Sequence, residues 1–298
     1  MKHPRSSAGA GLGGRDQRSK TSPREPSTTI QEPGTKNCKP GHPIFFVGAG
    51  PGDPELITVK GRRLLQEADR IVYTGSLVPE SLLQERKVNA KVYSSASLSL
   101  SGTHHLLREG YLSGESVVRL HTGDPSLYGA IQEQMQLLDQ EGIPYAVVPG
   151  VSAVFAAAAA LKQELTLPEV SQTVILTRIA GRTPVPEAER LASLASHHAT
   201  LVIYLSVQQM EQVVAEVAPC YSPDTPVIVA HRVGWPDENF VRGNLGNIVS
   251  EVKAAGIGSQ AIIMIGEVFG ARDGRELKKS KLYDEAFEHG FRKATTAA

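Results

Sequence analysis

Three short glycine-containing turns are the places in this sequence where residue types and spacing could do chemistry. They read GAGPGD at residues 48–53, TGDP at residues 122–125 and VPGVS at residues 148–152, and each follows a run of apolar residues. Glycine lets the backbone come close to a ligand, and open α/β sheets bind their ligands at the carboxyl ends of the strands. Three such turns in one half of the chain therefore predict a small-molecule site.

The first turn resembles a phosphate-binding turn only at first sight. A dinucleotide-binding turn needs a small residue at its third glycine position, where this chain has Asp53. A P-loop needs a following Lys-Ser or Lys-Thr, and Pro51 lacks a backbone N–H that a phosphate would use. The turn is therefore not predicted to bind a pyrophosphate. A plain strand-to-helix turn capped by Asp53 is the alternative to a ligand contact.

The other two turns carry polar side chains. Asp124 stands at the end of a predicted strand, where its carboxylate can accept a hydrogen bond from a ligand or cap its own turn. Ser152 is placed as the N-cap of an alanine-rich helix at residues 153–161. The small side chains of that helix would let another backbone or a flat ligand lie against it, although helix propensity alone also explains them.

Apolar patterning around these turns predicts an α/β protein. In the first half, predicted strands at residues 44–47, 70–73, 116–120 and 145–148 alternate with predicted helices at 54–68, 105–112, 130–140 and 153–161. After a polar stretch at residues 166–171, strands are predicted at 173–177, 200–205, 225–231, 239–243 and 260–265, and helices at 187–197, 208–218 and 246–255.

These elements group into two α/β domains, predicted at residues 41–168 and 169–271, each with a mixed sheet flanked by helices. Residues 1–40 are rich in Gly, Ser, Pro and Arg and are predicted to form a disordered tail. Residues 272–298 are predicted to be a charged extension with a short helical pattern, formed by Leu277, Leu282, Phe287 and Phe291, that can dock or fray.

Composition excludes several classes of function. The 31 basic and 31 acidic residues among 298 give no net charge, which argues against nucleic-acid binding by bulk electrostatics. Cys38 and Cys220 lie far apart without CxxC spacing, which favours a reducing cytoplasm over a zinc or disulfide scaffold. The sequence has no apolar run of about 18 to 20 residues for a bilayer. The pair His104 and His105 is more typical of a solvated helix than of a metal site.

Five stretches together resemble the tetrapyrrole methylase family. They are VGAGPGDPELITVKG, HTGDPSLYGAIQEQ, VPGVSAVFAAAAA, QTVILTRIAGRTPVPE and VGWPDE. The first three are typical of the whole family, and the last two are similar to its C-11 methyltransferases of cobalamin biosynthesis. The resemblance covers about residues 43 to 268 and neither end of the chain.

This resemblance implies that S-adenosylmethionine binds in a cleft between the two domains, with the tetrapyrrole in an adjoining trough. The first turn then lines the cleft and binds no phosphate, and S-adenosylhomocysteine is the expected product. Carried over by motif or strand pattern, the donor contacts are Pro51, Thr122, Gly123, Asp124, Leu127, Ser152, Ala153, Leu205 and Ala230. A homodimer is implied by the family likeness alone.

Candidate substrate residues follow from the carboxylate groups of a tetrapyrrole, which guanidinium forks recognise well. Arg178 and Arg182, in the stretch LTRIAGRTP, are candidates, with a solvent-exposed arginine as the alternative. Three residues at the end of a predicted strand are further candidates to face the substrate: His231, Arg232 and Trp235, although Trp235 could fill the core instead.

The activity that the resemblance implies is methylation of precorrin-4 at C-11 to give precorrin-5, with Tyr128 as the candidate catalytic hydrogen-bond donor. The cobalt-precorrin-4 reaction and uroporphyrinogen-III C-methylation are alternatives. Diphthine synthases and ribosomal RNA ribose methylases share the first three turns, but the neutral charge disfavours the RNA enzymes. Two alternatives belong to other functional classes. One is a nicotinamide-dependent oxidoreductase, which Asp53 and Pro51 disfavour, and the other is a non-catalytic tetrapyrrole carrier.

Overall fold

The computed structural model describes residues 42–271, 280, 282 and 284–293, which belong to one compact unit. The predicted tail at residues 1–40 lies outside the described residues, as does Leu277. The fold is α/β with a sheet in each half of the chain, as predicted, and each sheet has five strands, one more than predicted in the first half. The domain boundaries at 41–168 and 169–271 stay a prediction.

The first sheet is parallel throughout its ladders. Its strands, in the spatial order β3-β2-β4-β1-β5, are β1 (Ile44–Gly48), β2 (Arg70–Tyr73), β3 (Lys91–Ser94), β4 (Val117–His121) and β5 (Tyr145–Val148). The sequence predicts a mixed sheet here. The pairs of strands are all parallel, and the antiparallel pairing is an isolated bridge between Gly50 and Gly123, just beyond the strands. All five residues of β4 are buried, as expected for a central strand covered on both faces.

Four helices cover the two faces of the first sheet. They are α1 (Val59–Glu67) and α2 (Glu80–Gln84) on one face, and α3 (Leu100–Leu112) and α4 (Gln132–Gln140) on the other. Helix α5 (Ala153–Leu161) follows β5 but packs elsewhere. Its buried side chains contact the second sheet, so the last helix of the first half closes the core of the second half.

The second sheet is mixed, as predicted. Its strands, in the order β6-β7-β10-β8-β9, are β6 (Val174–Thr177), β7 (Thr200–Ile203), β8 (Pro226–His231), β9 (Asn239–Asn244) and β10 (Ala261–Ile265). Strands β6 and β7 are parallel, and the other pairs are antiparallel. Helices α6 (Leu191–Ala195), α7 (Met210–Val217) and α8 (Ile248–Ala254) cover one face, and α5 covers the other.

The structure corrects several predicted elements. The helix predicted at 54–68 is divided into a 3-10 helix at Pro54–Leu56 and helix α1, because Thr58 caps a new helix by accepting a hydrogen bond from the backbone N–H of Gly61 at 3.1 Å. Strand β3 and helix α2 were not predicted. The helices predicted at 187–197 and 208–218 each begin as a 3-10 turn before α6 and α7.

The described part of the C-terminal extension does not form the predicted helix. Residues 284–293 contain turns and an isolated bridge between His289 and Arg292. The side chains of Leu282, Phe287 and Phe291 are exposed. Within the part of the chain that the structure describes, no helix is long and apolar enough to cross a membrane.

Three glycines meet where β1, β4 and β5 end. A Cβ atom on Gly48 would lie 2.6 Å from the carbonyl oxygen of Gly123 and 2.6 Å from the Cα atom of Gly150. Beyond this contact the backbone N–H of Gly123 donates to the carbonyl of Gly50 at 2.8 Å. Because every neighbour is backbone, none can move aside for a side chain. The three predicted ligand turns are therefore held together by backbone packing.

We predict that Gly150→Ala lowers the free energy of unfolding by about 3 kcal/mol, because its Cβ would overlap the backbone of Gly48 and Gly123. Thermal unfolding measures the effect. Gly102→Ala is the control: its Cβ would meet only ordinary contacts at 3.5 Å or more in helix α3, where alanine is favoured over glycine. Equal melting temperatures for Gly150→Ala and the wild type would contradict the prediction.

Candidate active site

A cleft of about 740 Å³ lies between the three glycine turns and the ends of β7 and β8. Every predicted donor contact lines it, together with the catalytic candidate and four of the five substrate candidates: Pro51, Thr122, Gly123, Asp124, Leu127, Tyr128, Ser152, Ala153, Arg178, Arg182, Leu205, Ala230, Arg232 and Trp235. The structure thus brings together residues from both halves of the chain. Their individual roles remain predictions.

His231 is the predicted site residue that the structure does not bring to the cleft. Side chains alternate along a strand, so Ala230 on β8 lines the cleft and His231 does not. Partial burial lowers the pKa of His231 and the neighbouring Arg232 lowers it further, which favours the neutral imidazole. Arg232, the next residue, lines the cleft in its place.

The first turn both caps a helix and lines the cleft. The Asp53 carboxylate accepts a hydrogen bond from the backbone N–H of Glu55 at 2.8 Å, as the plain-turn alternative expects. The carbonyl of Pro51 accepts one from the indole N–H of Trp235 at 2.9 Å. A Cβ atom on Gly52 would lie 2.7 Å from that indole nitrogen. Trp235 is therefore not a core residue but a contact between the first turn and the second half.

Asp124 joins two of the turns. Its Oδ2 atom accepts a hydrogen bond from the backbone N–H of Gly150 at 2.9 Å, and its Oδ1 atom accepts from the backbone N–H of Ser126 at 2.8 Å and from the Ser126 hydroxyl. Burial would raise the pKa of this carboxyl, but the hydrogen bonds outweigh it and lower the pKa below the ordinary value. Asp124 therefore caps its own turn, as the alternative to a ligand contact expects, and it also lines the cleft, so its contact with the methyl donor stays a prediction.

Tyr204 is a cleft residue that sequence reasoning missed. It follows β7, and its hydroxyl lies 2.9 Å from the Oγ atom of Ser152 and accepts a hydrogen bond from the backbone N–H of Val154 at 3.3 Å. It thus caps helix α5 from the other half of the chain, while the Ser152 side chain makes no capping bond. Its ring lies 5.5 Å from that of Tyr128. The one local signal was an aromatic residue at a strand end.

Four non-glycine residues in the cleft wall have left-handed backbone. They are Tyr128, Leu205, Arg232 and Gln260, with φ values of 56°, 57°, 48° and 52°. Such conformations are unfavourable for residues with a Cβ atom and persist where the surrounding structure imposes them, often at binding sites. Leu205 is also 73% exposed, which is unusual for a leucine and presents its side chain to a ligand.

The two loop arginines differ in what they contact. The Arg178 guanidinium donates hydrogen bonds to the backbone carbonyls of Thr183 and Pro184 at 3.1 and 2.8 Å, so it braces its own loop. Arg182 is exposed on that loop, and no described residue accepts a hydrogen bond from its guanidinium. Among the described residues, no group of three or more His, Cys, Asp or Glu side chains is arranged to hold a metal ion.

These features define an α/β protein with a cleft between its two sheets, and the glycine turns that line this cleft lack the residue pattern of a dinucleotide-binding turn. Comparison with known families makes the assignment specific. The family model described as Tetrapyrrole (Corrin/Porphyrin) Methylases matches residues 43–249, more than half of the chain. The chain belongs to this family of methyltransferases.

Individual relatives are similar over most of their length. The cobalt-precorrin-4 C(11)-methyltransferase of Methanocaldococcus jannaschii is 50% identical over 252 residues, which cover 84% of this chain and 96% of the relative. The precorrin-4 C(11)-methyltransferase of Pseudomonas aeruginosa is 49% identical over 249 residues, covering 84% and 98%.

Solved structures agree with the fold. A cobalt precorrin-4 methyltransferase superimposes with a TM-score of 0.74 at 46% identity, covering 76% of this chain and 95% of the other. A uroporphyrin-III C-methyl transferase from Thermus thermophilus, complexed with S-adenyl homocysteine, gives 0.64 at 29% identity, covering 79% and 96%. The predicted fold and family are confirmed.

We predict that Asp124→Ala destabilises the protein by about 1 kcal/mol at neutral pH, because two turns lose their shared hydrogen-bond acceptor. Since the folded pKa is lowered, this contribution is fully present above the ordinary Asp pKa of 3.8 and is lost as the pH falls through the folded value. Urea unfolding from pH 7 to pH 3 tests this. The exposed Asp224 supplies the control variant Asp224→Ala. A difference between Asp124→Ala and wild type that is unchanged at pH 3 would contradict it.

We predict that Tyr204→Phe lowers the affinity for S-adenosylhomocysteine, because the Ser152 hydroxyl loses its partner in the cleft. Tyr221→Phe is the matched control. It removes a buried hydroxyl that bonds the carbonyl of Ala199 at 2.6 Å, away from the cleft residues. Both variants should lose about 1 kcal/mol of stability. Calorimetric titration should show weaker binding for Tyr204→Phe alone, and equal affinities would refute a role for Tyr204 in binding this ligand.

Proposed function

We propose that the protein transfers a methyl group from S-adenosylmethionine to C-11 of precorrin-4, giving precorrin-5 in cobalamin biosynthesis. The observation that carries this is the single cleft lined by the three family turns on one side and by arginines on the other. Relatives with the printed names of C(11)-methyltransferases at 49 and 50% identity support it.

The cobalt form of the substrate is the second candidate. The relative from M. jannaschii is named for cobalt-precorrin-4 and the one from P. aeruginosa for precorrin-4, at nearly equal identity. In the cobalt reaction the metal arrives inside the substrate, so the protein needs no ligands for it. Both substrates therefore belong in the test.

The lining of the cleft supports S-adenosylmethionine as the methyl donor. Gly123 has φ of 61°, and a Cβ built on it would find its nearest neighbour 3.9 Å away, so bare backbone faces open space there. Thr122 and Ser152 add hydroxyls, and Pro51, Leu127, Ala153, Leu205 and Ala230 add apolar surface. A uroporphyrin-III methyltransferase of the same fold is described as a complex with S-adenyl homocysteine, which supports the same donor here.

The methyl transfer requires mainly that the protein position the two reacting carbon atoms. The donor supplies an electrophilic methyl carbon on a sulfonium, whose positive charge disappears as the methyl is transferred. The protein's task is to align that carbon with the ring carbon, a contribution of up to roughly 7 to 11 kcal/mol in favourable cases. Walls of backbone and small side chains provide such alignment without acid or base groups.

Tyr128 is proposed as a hydrogen-bond donor to the reacting ring. Burial raises the pKa of its hydroxyl above the ordinary value, so the phenol stays protonated and able to donate. Arg182 is proposed to bind a substrate carboxylate directly. Arg178 remains a substrate candidate, but its bonds to Thr183 and Pro184 indicate that it also shapes the loop.

Homodimer formation is part of the proposal. Val147 on β5, Phe155 on α5 and Leu176 on β6 are 41%, 59% and 36% exposed. Strands β5 and β6 are edge strands of their sheets. Apolar side chains on uncovered strand edges favour contact with a second copy. A cytoplasmic location is also proposed, supported by two cysteines too far apart in sequence to suggest a disulfide framework.

We predict that the purified protein moves label from methyl-labelled S-adenosylmethionine to C-11 of precorrin-4, of cobalt-precorrin-4, or of both. Mass spectrometry measures the transfer and NMR assigns the labelled carbon. Uroporphyrinogen-III is the control substrate and should stay unlabelled. Label at another ring carbon, or only on uroporphyrinogen-III, would replace the proposed reaction, and tetrapyrrole binding without donor binding would identify a carrier.

A further inference from the structure

The positively charged side chains that line the cleft all come from the second half of the chain. Among the described residues, four charged side chains line the cleft: Asp124, Arg178, Arg182 and Arg232. Both carboxylate oxygens of Asp124 already accept hydrogen bonds within the turns. The cleft therefore presents positive charge from the second half of the chain, which favours an anionic ligand.

Of the three arginines, Arg232 has a guanidinium group that protein contacts hold in place while some of its N–H groups remain for a ligand. Its guanidinium lies 4.3 Å from the centroid of the Trp235 ring. Its Nε atom donates to the carboxylate of Asp237 at 2.7 Å, and its Nη1 atom donates to the side-chain oxygen of Gln260. No described residue accepts a hydrogen bond from Nη2. A guanidinium has five N–H groups, so three remain on a fork whose orientation is already fixed.

The backbone beneath this fork is strained. Arg232 and Gln260 both have left-handed φ values, and the backbone N–H of Arg232 donates to the carbonyl of Gln260 at 2.9 Å. The two residues are thus bonded to each other through side chains as well as backbone. Paired strain of this kind is maintained by its surroundings and is typical of ligand-binding positions.

The fork also stands between two cavities. A second cavity of about 1000 Å³ lies beside the cleft and is lined by Gly52 of the first turn and by Ser76 and Glu80. Arg232 and Trp235 are the residues that line both cavities. A ligand too large for the cleft and extending into the second cavity must pass this guanidinium.

We propose that Arg232 binds a side-chain carboxylate of the tetrapyrrole through its Nη N–H groups. This rests on the proposed function, which supplies the polycarboxylate substrate. Asp237, Gln260 and Trp235 are positioning residues that hold the fork in place. The contact belongs to substrate recognition and not to donor binding.

Kinetics of Arg232→Gln and Arg232→Lys test the proposal, with Arg242→Gln as the matched control. Arg242 is an exposed arginine on β9 that lines neither cavity. We expect Arg232→Gln to raise KM for the tetrapyrrole at least tenfold, with kcat changed less. Arg232→Lys should not restore KM, because an ammonium group keeps the charge but not the fork. The Kd of S-adenosylhomocysteine, measured by calorimetry, should stay within twofold of wild type in both.

Gln260→Glu gives a second test that leaves Arg232 in place. The new carboxylate would neutralise the fork from the Nη1 side, so KM for the tetrapyrrole should rise while the protein keeps its fold. This variant decides the matter if Arg232→Gln does not fold.

A tetrapyrrole KM within twofold of Arg242→Gln, in either Arg232→Gln or Gln260→Glu, would overturn the role of Arg232 alone. Full recovery of KM by Arg232→Lys would also overturn it. A wild-type protein that binds S-adenosylhomocysteine but does not methylate a tetrapyrrole would overturn the proposed function as well, so the two failures are distinguishable.

Discussion

Backbone contact between three glycines is the constraint on which the rest of this structure depends. Gly48, Gly123 and Gly150 come from three different strand ends and pack without side chains between them. This contact brings the three turns together, and a hydrogen bond from the backbone N–H of Gly150 to the Asp124 carboxylate joins two of them. The resulting wall is mostly backbone, which cannot change rotamer. A rigid wall suits a reaction whose difficulty is alignment rather than proton transfer.

The opposite wall is built differently. It consists of loops from the second half, and it is attached to the first half through side chains that bond backbone or hydroxyl groups. Tyr204 reaches Ser152, and Trp235 reaches the carbonyl of Pro51. The cleft therefore has one wall of rigid backbone and one wall that carries arginines, and the proposed function places the methyl donor at the first and the anionic substrate at the second. Helix α5 connects the two walls, since it begins at the backbone wall and ends in the core of the second half.

The glycine turns could be predicted from the sequence because each backbone position there permits few residue types. The roles of Tyr204 and Gln260 could not be predicted, since an aromatic ring or an amide acquires its role only through contacts distant in sequence. His231 is the last residue of β8 and Arg232 follows it, and no local pattern marks the left-handed backbone of Arg232, which lines the cleft. Strand β3 was missed because it is an edge strand with exposed ends and no apolar run.

The packing of helix α5 has a consequence for how the protein is made. Its apolar residues leave the ribosome with the first half, but their partners include Ile262 and Met264, about a hundred residues later. At 5 to 20 residues per second, the helix waits roughly 5 to 20 seconds with that face uncovered. The first sheet can form during this interval, whereas the second core cannot. The apolar face of α5 therefore stays uncovered until β10 has been synthesised.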